Sequence, residues 1–103
     1  MSFFWSKKKY HILLEGGNLW LGINDPEKFG YFTTRYVVGR DEGEAAEHAK
    51  LLVEREIAAT MVLLNHPDDP ATLIINEVVQ ISSFEGKPVP GKGFTFFPDV
   101  EAS

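Results

Sequence analysis

The segment from Tyr31 to Ile57, YFTTRYVVGRDEGEAAEHAKLLVEREI, decides the fold, because it predicts a strand, a tight break and an amphipathic helix in succession. Its first eight residues are almost all β-branched or aromatic, which suits a half-buried pleated surface. A Gly-Arg pair ends that run. Asp41 follows where a helix N-cap belongs, and Glu44 comes three residues later, in an Asp variant of the capping box.

The predicted helix has one apolar stripe. Its members recur at steps of three and four residues: Ala45, Ala49, Leu52, Val53 and Ile57. A helix with a single apolar stripe needs a sheet face to cover, so we expect the strands of this chain to supply one.

The rest of the chain predicts strands at Tyr10–Leu14, Leu19–Ile23, Thr72–Ser82 and Phe94–Phe97, with a hairpin turn at Glu15–Asn18. The segment 58–64 is compatible with a continued helix or with an extended strand. The predicted fold is α+β, a mainly antiparallel sheet of four to five strands with one long amphipathic helix on one face, in the order β-β-β-α-β-β.

Domain organisation is simple: an N-terminal arm over residues 1–9, one α+β domain over 10–99 and a polar tail over 100–103. The arm, MSFFWSKKK, places aromatics before lysines, which is the reverse of a secretory signal. It is compatible with a frayed or folded-back terminus, and with a segment that docks on a partner or a membrane surface.

Composition excludes several kinds of chemistry. The 103 residues include no cysteine, which removes disulfides, thiolate metal sites and thiol nucleophiles, and fits a cytoplasmic protein. The formal net charge of −5 disfavours nucleic-acid binding, because phosphate contacts need a basic surface. The apolar runs are too short to span a bilayer. We expect no metal site and no cofactor.

Three stretches carry a resemblance: YHxLLxG from position 10, GYFTTR from position 30 and GFTFFP from position 93. Together they resemble a small family of uncharacterised bacterial proteins of about this length, over roughly residues 10–99. The resemblance implies a bacterial source. It carries no functional residues over, since no activity of that family is established.

Residues 86–93, GKPVPGKG, nearly match a phosphate-binding P-loop. Gly93 stands where Ser or Thr would bind magnesium, and Pro88 and Pro90 remove backbone N–H groups that would cradle phosphate. The strand-like run that follows supplies no helix N-terminus, so the sequence argues against a nucleotide loop.

Two histidines lie near carboxylates. His66, Asp68 and Asp69 could hold a metal, but flanking prolines favour a turn, and a hard cation needs more oxygen ligands. Glu44 and His48 are four residues apart on the helix, which favours an exposed side-chain pair over a catalytic base.

Glu77, Arg35 and His11 are the remaining catalytic candidates. Glu77 and Arg35 each interrupt a largely apolar strand face, which a cross-strand Glu77–Arg35 pair would explain without any function. The alternative is a small enzyme or ligand-binding domain, with these three residues lining a pocket between helix and sheet.

The surplus of strand aromatics favours a non-catalytic protein-interaction domain. Because one helix covers one sheet face, apolar residues on the other face must meet loops, the arm or another protein. We expect a homodimer or a protein partner, as in an immunity protein or a small regulator. The predicted partner-binding residues are Phe32, Ile74, Val78 and Trp20.

Overall fold

The computed structural model describes residues 7–22 and 24–99. Its elements are β1 (Lys8–Leu21), β2 (Glu27–Gly39), α1 (Glu42–Thr60), β3 (Thr72–Ile81) and β4 (Thr95–Pro98). The strands form one antiparallel sheet in the order β3-β1-β2-β4, and α1 packs on one side of it. The predicted α+β class is therefore confirmed. Most of the predicted arm and all of the predicted tail lie outside the described residues.

The predicted hairpin at Glu15–Asn18 is wrong, because β1 runs without a turn through this segment. Gly16 pairs with Tyr31 and Leu19 with Phe29, so one extra residue forms a β-bulge. The Tyr31 ring lies directly on Gly16, where any Cβ would collide with it. The glycine thus serves close packing rather than a turn, and the order becomes β-β-α-β-β.

Asn18, in the bulge, joins three parts of the chain. It has a positive φ of 54°, a conformation that Asn tolerates better than most residues. Its backbone N–H donates to Asp99 Oδ2 at 2.7 Å, and its Nδ2 donates to Asp69 Oδ1 at 2.8 Å. Asn65 Nδ2 donates to the Asn18 carbonyl at 2.7 Å. The loop before β3 and the residue after β4 are therefore fixed to β1.

Helix α1 begins as predicted. The Asp41 side chain accepts from the Glu44 N–H at 2.8 Å, which satisfies a first-turn donor. Ala45, Ala49 and Val53 are buried, and the two small residues let the helix lie close to the sheet. Within the residues that the structure describes, no helix is long and apolar enough to cross a membrane.

The helix ends at Thr60, so residues 58–60 of the ambiguous segment 58–64 are helical and residues 61–64 are not. The Met61 N–H closes the last turn on the Ile57 carbonyl at 2.9 Å, and the chain becomes extended. The Leu64 N–H then donates to the Trp20 carbonyl at 2.8 Å, beyond the point where β3 pairs with β1.

A second bulge, in β3, corrects the predicted face of Val78. Leu13 pairs with Glu77 but Leu14 pairs with Ile75, so Asn76 is the extra residue and the alternation of side chains reverses there. Val78 consequently packs against the buried core under the helix. Val79 is exposed on the opposite side of the sheet.

The core lies between α1 and one side of the sheet. Its buried apolar members are Tyr10, Ile12, Leu14, Leu19, Tyr31, Val37, Ala45, Ala49 and Val53. The opposite side of the sheet is covered by no described helix or strand. We call it the outer face. By strand alternation and register it carries Lys9, His11, Leu13, Glu15, Trp20, Phe32, Thr34, Tyr36, Ile74, Glu77, Val79 and Phe97.

The burial pattern predicts a contrast between two leucines. Leu14→Ala should lower the free energy of unfolding by about 2–5 kcal/mol, because it opens a cavity at the centre of β1. Leu51→Ala makes the same change at an exposed helix position and should cost less than about 1 kcal/mol. Urea titration of both variants measures this, and equal midpoints would show that the assigned core is wrong.

The helix start predicts a pH dependence. Arg40 donates to the Glu44 carboxylate from its backbone N–H at 2.9 Å and from Nε at 2.8 Å, and these bonds lower the pKa of Glu44. Because the folded-state pKa is depressed, the stabilisation is present above the unfolded pKa and is lost as pH falls through the folded one. Glu44→Gln should therefore flatten the acid limb of stability against pH.

The control for that measurement is Glu47→Gln, on an exposed part of the same helix. Urea midpoints collected from neutral pH downward should keep the wild-type slope in this variant. A wild-type slope in Glu44→Gln as well would contradict the role assigned to Arg40.

Candidate functional site

The outer face is built from rows of side chains that cross the strands. One row runs Val79–His11–Tyr36 and another runs Ile74–Glu15–Phe32. Three large apolar side chains are open to solvent, with exposed fractions of 39% for Phe32, 55% for Ile74 and 41% for Val79. Apolar exposure distributed over one uncovered sheet face of a small domain is typical of an interaction surface.

Aromatic contacts continue the outer face toward β4. The Phe32 and Phe97 ring centroids are 5.3 Å apart. Phe97 lies over Gly30, whose missing Cβ makes room for the ring. Two rows away along β1, the His11 and Tyr36 ring centroids are 5.4 Å apart and the rings are tilted. These pairs lie in the separation range of favourable aromatic contacts.

Charged side chains are spaced along β1 on the same face. Lys9 lies toward one end and Glu15 lies three rows away. Between them, His11 Nδ1 is 3.9 Å from Glu77 Oε1, a loose and exposed contact. Asn76 Nδ2 donates to Glu15 Oε1 at 2.9 Å. The outer face is therefore apolar, with Lys9 near one end, the carboxylates of Glu77 and Glu15 further along, and Lys28 opposite Trp20 at the far end.

The four predicted partner-binding residues are not equivalent. Phe32 and Ile74 are exposed on the outer face, and Trp20, paired with Lys28, lies half-buried near its other end. Val78 lies on the helix side instead. Partner binding by the first three stays a prediction, while the β3 bulge replaces Val78 with Val79.

A groove of about 930 Å³ adjoins the outer face where the loop 84–94 approaches β2. Phe32, Tyr36 and the segment 88–90 are among its lining residues, and Lys92 is the single charged side chain that the described part of the chain contributes to it. The Tyr36 N–H donates to the Pro90 carbonyl at 2.9 Å, so this loop protects part of the β2 edge.

Arg35 anchors that loop from within. Its side chain is only 2% exposed, and Nη1 is 2.9 Å from Glu56 Oε1 on the helix. Nη1 also donates to the Gly91 carbonyl and Nη2 to the Gly93 carbonyl, both at 3.2 Å, and Nε donates to Thr33 Oγ1 at 3.1 Å. The P-loop-like segment thus presents carbonyl oxygens to a guanidinium, which is the opposite polarity to a phosphate cradle.

Glu56 completes the network and was missed by the sequence analysis. Its Oε2 accepts from the Gly93 N–H at 2.8 Å, while Thr33 Oγ1 donates to the Gly93 carbonyl at 2.8 Å. The sequence held a signal, since Glu56 follows Val53 by three residues and lies beside the apolar stripe. A buried cation on the β2 core side needs such a partner.

The expected Glu77–Arg35 pair is therefore wrong. Arg35 lies on the helix side and pairs with Glu56, whereas His11 and Glu77 lie on the outer face. The sheet itself separates Arg35 from the other two candidates. They do not line one pocket, because the two faces of a strand alternate.

The structure gives His48 and His66 the following partners. Glu44 pairs with Arg40, and His48 Nδ1 lies 2.8 Å from the Val38 carbonyl oxygen, to which it can only donate. His66 Nδ1 is 3.7 Å from Asp68 Oδ2 in an exposed turn. Among residues 7–22 and 24–99, no group of three or more His, Asp or Glu side chains could hold a metal.

A separate cleft of about 430 Å³ opens between the end of α1 and the sheet. Tyr31 lines it, and burial together with the negative charge of Glu54 raises the pKa of Tyr31 to about 12, against a lowering effect of Arg35. The phenol is therefore neutral at physiological pH and can donate a hydrogen bond.

Comparison of the chain with known protein families, curated proteins and solved structures found no match.

The Arg35 network predicts that Glu56→Gln destabilises the fold. The substitution keeps the shape but leaves the buried guanidinium without a compensating charge, and about 1–3 kcal/mol of unfolding free energy should be lost. The control Glu47→Gln, on an exposed carboxylate, should change stability by less than about 0.5 kcal/mol. Urea denaturation measures the free energy of unfolding of both variants. An unchanged value for Glu56→Gln would show that the Arg35–Glu56 network does not stabilise the fold.

Proposed function

We propose that this protein is a non-catalytic interaction domain that self-associates through its outer face. The observation that carries the proposal is the exposure of Phe32, Ile74 and Val79 on the same side of the sheet, opposite the helix. The loop 84–94 contributes a groove at the border of this face. A second copy is the occupant we propose, because twofold pairing buries the same patch twice.

The charges support an antiparallel arrangement of the two copies. A twofold axis that runs parallel to the sheet in front of the outer face, perpendicular to β1 and level with the midpoint between His11 and Leu13, would stack β1 of one copy on β1 of the other. Lys9 of each copy would then face Glu15 of the other. The row of His11 would face the row that contains Glu77. Opposite charges would meet on both sides of the axis, which favours this register over a parallel one.

The available area sets the expected strength. From Lys9 to Gly17 the sheet extends about 26 Å, and the three strands β3, β1 and β2 span about 14 Å there, which corresponds to about 370 Å² per copy. The pair would bury about 740 Å², the size of a weak, transient interface, so we expect dissociation constants in the micromolar range.

Sedimentation equilibrium tests the apolar part of the surface. The wild-type protein should show a monomer–dimer equilibrium at concentrations up to about 100 µM, and Ile74→Asp or Val79→Asp should be monomeric, because a carboxylate would be buried in the interface. The matched control is Val62→Asp, since Val62 is 67% exposed but lies outside the outer face. A monomeric wild type over the whole range would contradict the proposal.

A charge-reversal experiment tests the register. Lys9→Glu places like charges opposite each other in its own homodimer, and Glu15→Lys does the same with the opposite sign. Mixing the two variants restores both attractive contacts. Each variant alone should therefore associate more weakly than the mixture, by about fivefold or more. Equal association of the mixture and the separate variants would exclude this arrangement.

A further inference from the structure

The cleft beside the end of α1 has the features of a small-molecule site. We call it the helix–sheet cleft. Its volume of about 430 Å³ lies within the usual range for ligand sites. Eight of its ten lining residues are apolar or aromatic: Leu19, Tyr31, Ile57, Ala58, Met61, Leu63, Ala71 and Leu73. It lies on the helix side of the sheet, so it is independent of the outer face and of the proposed self-association.

The polar groups of the cleft are few. Glu54 and Thr72 are the other two lining residues, and Glu54 is the only charged side chain among the described residues that line it. In the part of the chain that the structure describes, no Lys, Arg or His side chain forms an ion pair with Glu54. The nearby Lys50 points instead to Glu47, at 3.9 Å. Among the described residues, the exposed Glu54 carboxylate at the cleft is thus left without a cation.

The helix end adds negative potential at the same place. Ile57, Ala58 and Met61 belong to the last turn and cap of α1, where unpaired carbonyls carry a partial negative charge. The last turn contains no basic residue to offset it. Glu54 and the helix end therefore both favour a cation beside an apolar surface.

We propose that the helix–sheet cleft binds a small apolar molecule that carries a single ammonium group. The apolar body would lie against Met61, Leu63 and Leu73, and the ammonium would meet the exposed Glu54 carboxylate. Charge complementarity sets the class of ligand: an amine should bind and a carboxylate of the same size should not.

A matched pair of probes tests the class. Protein labelled with ¹⁵N is titrated with 2-phenylethylamine and, separately, with 3-phenylpropionate, and amide shifts are followed by NMR. The amine should shift the amides of Ala58, Met61 and Leu73 with a dissociation constant of about millimolar order, as expected for so small a probe. The carboxylate should leave these amides unchanged.

Three variants separate the parts of the site. Glu54→Gln should weaken amine binding about fivefold, because it removes the charge and keeps the shape. Ala58→Leu should abolish binding, since the larger side chain enters the cleft from a helical position that tolerates leucine. Glu47→Gln, a carboxylate on the same helix that does not line the cleft, should bind the amine as the wild type does.

Any of three results would overturn the proposal. The first is equal binding of amine and carboxylate, and the second is the absence of shifts at the cleft amides up to about 10 mM amine, well above the expected dissociation constant. The third is a set of nuclear Overhauser effects from residues 1–6, 23 or 100–103 to Leu63 and Leu73 in the free protein. That result would mean that the chain itself fills the cleft.

Discussion

The structure depends on one mismatch between its elements: a sheet has two faces, and α1 covers only one. The 19 residues of α1 extend about 28 Å, so the helix shields one face over part of the length of β1. Apolar residues under it form the core, while those on the other side stay exposed or half-buried. The proposed function follows from that uncovered side, because apolar exposure of this kind favours association.

The Arg35–Glu56 pair connects the covered side to the loop 84–94. A guanidinium in such surroundings needs several acceptors, and the chain supplies a carboxylate and the carbonyls of Gly91 and Gly93. The loop is thereby held against the edge of β2, where it leaves a groove beside the outer face. One buried cation thus shapes a surface on the opposite side of the sheet.

Two bulges decide which side chains reach each face. The bulge at Gly17–Asn18 lets β1 continue past a glycine pair. Within it, the Asn18 N–H donates to the Asp99 carboxylate and the Asn18 carbonyl accepts from the Asn65 side chain. The bulge at Asn76 reverses the alternation within β3, so that Val78 turns to the core and Val79 to solvent. Both add one residue to a strand and thereby shift every side chain beyond them to the other face.

The sequence by itself determined the local features: the Asp41 cap, the apolar stripe of α1, the strand before it and the α+β class, because these follow from propensity and periodicity over a few residues. Tertiary structure alone decided the continuity of β1, the face of Val78 and the partner of Arg35. Each of these depends on contacts between distant residues: the Tyr31 ring on Gly16, the register of β3 on β1, and a carboxylate 21 positions away on the helix. Local sequence patterns predict the helix, the strands and their apolar sides. The residues that pack against each side are determined only when distant parts of the chain come together.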